Sequence, residues 1–338
     1  MLYLKKYIKN KEVFIKNLEK RNKNIQARKY FEVLEKYLKL KNKLELALNK
    51  KNICTKKIQK LKEKNSEWEN IVKFCKELNN EIKCIGKYLQ NLEKEIIKAD
   101  FDIPCLLDGK VENQYVIIFD NLEKVKLSFD EICKHRGNNL PGLIGYPFSQ
   151  IQDYINNDIN ELLYKKGFEK IILTNNESDN YFDLMKGITL DIEDLPKRVY
   201  YEYNGSNIKI IGLTKENDNQ KEFDFFYNII NEIINNYNIK YKVVINKAQE
   251  TSLNTSIEYL YRNSSNEKLG ILSNISDYLS YQNGIKYQKG KEKQYIKIIQ
   301  LTIDLKVLWK EYIVNNLSQD YRINIEQIKS YKGKEIFI

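Results

Sequence analysis

Residues 78–97 read LNNEIKCIGKYLQNLEKEII, and within them Leu78, Ile82, Ile85, Leu89, Leu92 and Ile96 follow one another at steps of 4, 3, 4, 3 and 4. Apolar residues alternating between those two steps form the seam along which one helix packs on another. Upstream, Leu34, Tyr37, Leu44, Leu48 and Ile58 make a less regular stripe, with Lys41 where the seam calls for an apolar side chain. The polar run Lys62-Glu63-Lys64-Asn65-Ser66-Glu67 separates the two stripes, and Ser66 and Glu67 suit the cap of a helix starting near Trp68. The spacing therefore predicts two long antiparallel helices over 28–98, each on the order of 50 Å long at 1.5 Å per residue. Asp100-Phe101-Asp102-Ile103-Pro104 ends the second, because the residue before proline leaves the helical region.

Beyond this hairpin the pattern is mixed. Val116–Phe119, Lys170–Leu173, Val199–Tyr203, Ile208–Leu213, Tyr241–Ile245, Ile257–Tyr261 and Leu269–Leu272 read as strands. Helices are expected near 148–166, 220–237 and 299–316. Strands joined by turns with helices appended give an α+β fold, an N-terminal antiparallel coiled-coil hairpin over 1–100 followed by an antiparallel sheet domain over 101–338.

Charge divides along the same line. The chain of 338 residues carries +11, yet residues 1–100 hold 27 basic and 13 acidic residues and the remainder 30 and 33. A basic half beside a near-neutral one points to a polyanionic partner, nucleic acid before an anionic membrane surface. Lys50, Lys51, Lys56, Lys57, Lys60, Lys62 and Lys64 crowd the end of the first helix with no acid until Glu63. Such lysines follow RNA phosphates, or they are a solvated face in a chain rich in Lys, Asn, Ile and Tyr. Five scattered cysteines without CxxC spacing and a single histidine, His135, argue for a reducing compartment and against a Cys/His zinc site. No apolar run approaches the roughly 20 residues that cross a bilayer. A soluble cytoplasmic protein is expected, with a mitochondrial or plastid address left open.

The layout resembles the bacterial-type seryl-tRNA synthetases, class II enzymes, and short stretches extend the resemblance. Phe14 to Arg21 is similar to that family's start and Asn52 to Ile58 to the stretch near its arm tip. Ile103-Pro104 resembles its exit from the arm, and Phe129 to Gly137, FDEICKHRG, resembles its His-x-x-Leu-Gly element with the order changed. Asp194-Leu195-Pro196-Lys197-Arg198 is similar to its Asp-Leu-Pro-x-Arg segment, and Ser273 to Gln288 to its approach to motif 3. The resemblance implies a tRNA-binding arm that grips serine tRNA by shape, a homodimer, and a class II catalytic domain.

Against that implication stand five departures. Tyr201-Glu202-Tyr203 passes through Asn204-Gly205-Ser206 directly to Ile208, so the Phe-Arg-x-Glu of motif 2, whose arginine clamps the α-phosphate, is missing. The serine-binding Thr-x-Glu falls on Met185-Lys186-Gly187-Ile188, and a family glutamate falls on Lys268. Motif 3 falls on Gln300 to Lys306 without its glycines or arginine, and Ile171-Ile172-Leu173-Thr174 lacks the motif 1 proline. Glu258, Lys268, Ser273 and Asn274 then mark vestigial active-site positions. The reading is a seryl-tRNA synthetase-like protein that binds tRNA and has lost aminoacylation, with no catalytic residue, cofactor or metal. A divergent serine–tRNA ligase using ATP and magnesium, and a coiled-coil scaffold without RNA, remain the alternatives.

Overall fold

The structure, a computed structural model, describes residues 8, 10–63, 69–123, 128–135, 148–173, 181–317, 322–324 and 335–337. It divides into two compact units, Met1–Pro104 and Cys105–Ile338. The division drawn from sequence at residue 100 falls within the last turn of a helix.

The first unit holds α1 (Lys11–Glu19), α2 (Asn24–Glu63) and α3 (Glu69–Asp102). Helix α1 turns into α2 at Asn22, which takes φ 57° while the Lys23 amide donates to the Leu18 carbonyl at 3.0 Å. Asparagine tolerates this left-handed position, which closes helix ends. Phe14, Ile15 and Leu18 of α1 are buried, as are Ala27, Tyr30, Phe31 and Leu34 of α2, and Phe14 meets Phe31 edge-on at 5.5 Å. On α3 the predicted seam is buried at Leu78, Ile85, Leu89, Leu92 and Ile96, with Ile82 half-buried. On α2 burial follows Leu34, Ala47, Lys51, Cys54 and Ile58, whereas Lys41 is exposed and Leu48 is 38% exposed. The helix avoids its misplaced lysine by presenting neighbours.

The second unit is built on an eight-stranded sheet. Its strands are β1 (Val116–Asp120), β2 (Glu169–Lys170), β4 (Lys197–Tyr203), β5 (Asn207–Thr214), β6 (Lys242–Ile245), β7 (Ile257–Arg262), β8 (Lys268–Ser276) and β11 (Lys297–Asp304). They lie in the order β1-β6-β7-β8-β11-β5-β4-β2, antiparallel except where β2 runs parallel to β4. A small sheet of β3 (Thr189–Asp191), β9 (Lys286–Lys289) and β10 (Glu292–Tyr295) adjoins it in sequence, and β12 (Arg322–Asn324) pairs β13 (Glu335–Phe337). The helices are α4 (Phe129–His135), α5 (Phe148–Lys165), α6 (Tyr181–Leu184), α7 (Asn219–Asn236), α8 (Tyr278–Asn283) and α9 (Leu305–Asn316).

Alternation sorts each strand into two faces. Tyr200, Ile208, Ile210, Leu272, Ile299, Leu301 and Ile303 face the main core with Ile151 and Ile155 of α5, Phe226 and Ile230 of α7, and Trp309 of α9. Helix α7 lies close on the sheet because Gly212 and Gly270 stand beneath it. A Cβ at Gly212 would sit 2.9 Å from the Phe226 ring, and one at Gly270 2.8 Å from Ile230 Cδ1. The other face carries a second core, with Tyr201, Ile211, Leu213, Ile275 and Ile298 against Phe182, Met185, Ile285 and Tyr287.

One expected helix is corrected. Residues 299–304 belong to strand β11, and the helix begins at Leu305. The run Ile298-Ile299-Gln300-Leu301-Thr302-Ile303 is packed on both faces, so its strand period is hidden, while β-branched Ile and Thr favour the extended form. Asp304 marks the change, its carboxylate accepting the Val307 amide at 3.0 Å as an N-cap. The β9–β10 hairpin went unread because lysines at 286, 289, 291 and 293 interrupt the apolar signal.

Candidate functional site

Each unit presents one surface with functional content. In the first unit it is the distal part of the helical hairpin. Lys50, Lys56 and Lys57 are exposed on α2, and Lys51 is half-buried on the seam. Lys50 and Lys57, seven residues apart, share a flank, while Lys56 falls on the side turned away from the seam. The lysines thus ring the helix and do not form a single line. Lys60 and Lys62 lie in the last turns of α2, and Lys64 lies outside the described residues. The sequence reading missed α3's share: Lys73 and Lys76 are exposed, with Phe74 between them 45% exposed. Their signal was the absence of any acid between Glu69 and Glu77. Nearer the base, Lys43 pairs with Glu81 at 3.0 Å, so positive charge there is partly neutralised.

In the second unit the surface is the sheet face away from α7. Pairing puts Tyr201 beside Lys209, Gln300 beside Ser273, Thr302 beside Ile271, and Glu258 beside Ser273 on that face. Glu258 is buried and accepts from Asn246 Nδ2 at 2.8 Å and from the Ser252 amide at 3.1 Å. Its carboxylate therefore ties the β6–β7 connection to the sheet. Asn274 Oδ1 accepts the Ser276 amide at 3.0 Å, and its carbonyl takes both the amide and the hydroxyl of Ser256 at 2.8 and 2.9 Å. Lys268 is exposed at the start of β8, opposite Arg262. Glu258, Ser273 and Asn274 thus lie at one end of the β7–β8 pair, and Lys268 at its other end.

Strands β4 and β5 form a hairpin in register from Lys197–Leu213 to Tyr203–Asn207, closed by Asn204, Gly205 and Ser206. Asn204 and Gly205 both take positive φ, 52° and 65°, as a tight hairpin turn demands. Three residues span the place where a motif 2 loop would extend. Lys209 Nζ stands over the Tyr203 ring at 3.6 Å. Arg198 points to the opposite face, where Nε and Nη2 bond Glu222 at 2.6 and 2.9 Å and the guanidinium lies over Phe225 at 4.1 Å. Arg262 Nη1 donates to the Asn266 carbonyl at 2.8 Å. Among the described side chains of this unit, then, both arginines are engaged in structural bonds. Met185 is buried in the second core, and Gly187, at φ 77°, donates its amide to the Asn283 carbonyl at 2.7 Å. His135 ends α4, and its side chain lies outside the described set.

No group of three or more His, Cys, Asp or Glu among the described residues is placed to hold a metal ion. No described helix is long and apolar enough to cross a membrane.

An antiparallel sheet with a parallel edge strand, a hairpin beside it and a strand running into a helix at its centre, preceded by a long helical hairpin, is the architecture of a class II aminoacyl-tRNA synthetase. Two solved structures share this fold over nearly the whole chain. Seryl-tRNA synthetase from Pyrococcus horikoshii, solved with ATP, superposes with a TM-score of 0.81 at 13% identity, covering 100% of this chain and 99% of that one. The cytoplasmic serine–tRNA ligase of Naegleria fowleri, solved with AMP, gives 0.75 at 15% identity, covering 97% and 96%. Residues 1–107 match the family model described as the seryl-tRNA synthetase N-terminal domain. No curated protein matches the chain by sequence. Residues 1–107 are thus similar to that domain, and the chain as a whole shares the fold of these two synthetases.

Proposed function

We propose that this protein binds tRNA, serine tRNA in particular, through its basic helical hairpin and does not aminoacylate it. The observation that carries the second half is the three-residue closure between Tyr203 and Asn207. Adenylation of serine, in which its carboxylate attacks the α-phosphorus of ATP and pyrophosphate leaves, needs planar donors fixed where charge develops on the α-phosphate. A turn this short has no room for a loop bearing an arginine, and Arg198, one residue into β4, is committed to Glu222 on the other face. The first half is supported by the family of residues 1–107, by the exposed lysines at 50, 56, 57, 73 and 76, and by Phe74 between two of them. Lysines supply phosphate affinity and an exposed ring supplies a stacking surface, which together suit a shape-read RNA.

The chain is read as a homodimer through α5 and β2. Tyr164 and Ile172 there are 78% and 82% exposed beside a two-residue edge strand, a combination that leaves apolar surface for a second copy. Serine-dependent ATP–pyrophosphate exchange, run beside a tRNA titration in increasing salt, tests the whole reading. No exchange above a blank, with salt-sensitive tRNA binding, is the expected result. Exchange would establish the divergent ligase, with ATP and magnesium as its cofactors. Neither exchange nor tRNA binding would establish the protein scaffold.

A further inference from the structure

Stepping back along the α3 seam from Leu78 by three and then four residues reaches Cys75 and Ile71, both half-buried. On α2 the inward positions near the tip are Ala47, Lys51, Cys54 and Ile58, again at steps of four, three and four. The two cysteines are thus seam residues of facing helices. Their thiols are near enough to influence one another, each at a half-buried seam position of its own helix. Both are free thiols, and both keep some exposure to solvent. Cys84, also free, is exposed, and Cys105 is buried in the second unit.

We propose that Cys54 and Cys75 are an oxidisable dithiol that closes to an intramolecular disulfide and staples α2 to α3 below the hairpin tip. Facing seam positions bring the two thiols together on helices already packed against each other, which is the placement a disulfide needs. A peroxide is the oxidant. One thiolate attacks the peroxide oxygen, leaving a sulfenic acid and releasing water or alcohol. The second sulfur then displaces hydroxide to form the S–S bond, and the hydroxide leaves as water with the remaining thiol proton. Two electrons pass to the peroxide, and a dithiol reductant reverses the step by exchange. Burial first, and the neighbouring Cys54 thiol after it, push the Cys75 thiol above its ordinary range, with Lys51 acting the other way. Closure therefore quickens as pH rises. The bond encloses residues 55–74, with Lys56, Lys57 and Lys73 among them, and ties down the end of a hairpin otherwise held there by half-buried contacts.

The experiment uses the full reduced chain with stoichiometric hydrogen peroxide, quenched by a thiol alkylating agent and followed by intact mass and peptide mapping. The expected product has lost two hydrogens, is monomeric in its covalent linkage, leaves Cys84 alkylated, and joins the Cys54 and Cys75 peptides until dithiothreitol separates them. Cys54→Ser should leave Cys75 alkylatable and abolish the product. Amide exchange in 55–63 and 69–74 should slow at least tenfold on oxidation. Alkylation of both cysteines after peroxide, or a bond to Cys84 or between two chains in their place, would overturn the dithiol. Unchanged exchange in the oxidised product would overturn the staple.

Discussion

Arg198 grips Glu222 through two hydrogen bonds, 2.6 and 2.9 Å, on the helix-covered face of the sheet. Glu222 is 5% exposed, and Arg198 stands at the open end of the β4–β5 pair, beside Gly212 and away from the turn at Asn204-Gly205. Breaking a buried pair from one side strands the other charge, which costs roughly 3 kcal/mol or more. Arg198→Met should lower the unfolding free energy read from urea denaturation by that amount, and Glu222→Gln by less, since its amide oxygen still accepts. Stability unchanged in Arg198→Met would place the guanidinium elsewhere.

Gly212→Ala and Gly270→Ala should each destabilise by about 1–3 kcal/mol, because the new methyl group meets the Phe226 ring or Ile230 of α7 at under 3.0 Å. Ile230→Val paired with Gly270→Ala should recover part of the loss, measured by chemical denaturation of the double variant against each single one. Additive losses would mean that α7 does not rest on these glycines.

Much of this fold was legible because packing followed one period at a time. The α3 seam stood out since every fourth or third residue is Leu or Ile and most of the rest are polar. Strand β11 was misread because Ile298 and Ile299 are buried on opposite faces, which erases the alternation that marks a strand. The missing motif 2 loop showed in the sequence as a short path from Tyr203 to Ile208, and the turn at Asn204-Gly205 gives that path its geometry. Cys54 and Cys75 stayed apart in the reading because pairing depends on the register between two helices, which neither stripe alone supplies.

Glu311 on α9 is buried, accepting from Asn263 Nδ2 at 2.8 Å and Asn315 Nδ2 at 3.2 Å. Desolvation raises its carboxyl above the ordinary range, the two amides oppose that, and Glu267 adds to it. A raised folded value means the native state holds this proton where the unfolded chain has released it. Stability from this group is therefore fully present below the ordinary value near 4.5 and is lost as pH climbs through the raised one. Glu311→Gln should remove that downward slope, seen as a flatter curve of unfolding free energy against pH above 4.5. An unaltered curve would show that the carboxyl is hydrated.

If α5 and β2 carry the self-association, Ile172→Glu together with Tyr164→Glu should convert a dimer to a monomer of about half the mass in sedimentation, leaving helix content intact. Both side chains stand almost wholly in solvent, so neither change opens a cavity. A wild-type chain that sediments as a 40.3 kDa monomer at all concentrations would refute the dimer outright.

The hairpin lysines decide between RNA and protein as the partner. Replacing Lys50, Lys56, Lys57, Lys73 and Lys76 by Gln preserves chain length and helix propensity, and their exposure means that no buried contact is lost. Lys51 is left in place, because its stem packs on the seam and its loss would mix stability with binding. Each phosphate contact removed should reduce the slope of log affinity against log salt by about 0.7 for single strands and about 0.9 for duplex. Because the lysines ring α2 and extend onto α3, a single RNA surface cannot meet all five at once. The total loss of slope should then fall short of five contacts, and substituting the Lys50 and Lys57 flank should have a different effect from substituting Lys56. Equal RNA affinity and slope in wild type and the five-fold variant, with circular dichroism unchanged, would remove this end of the hairpin as the binding surface.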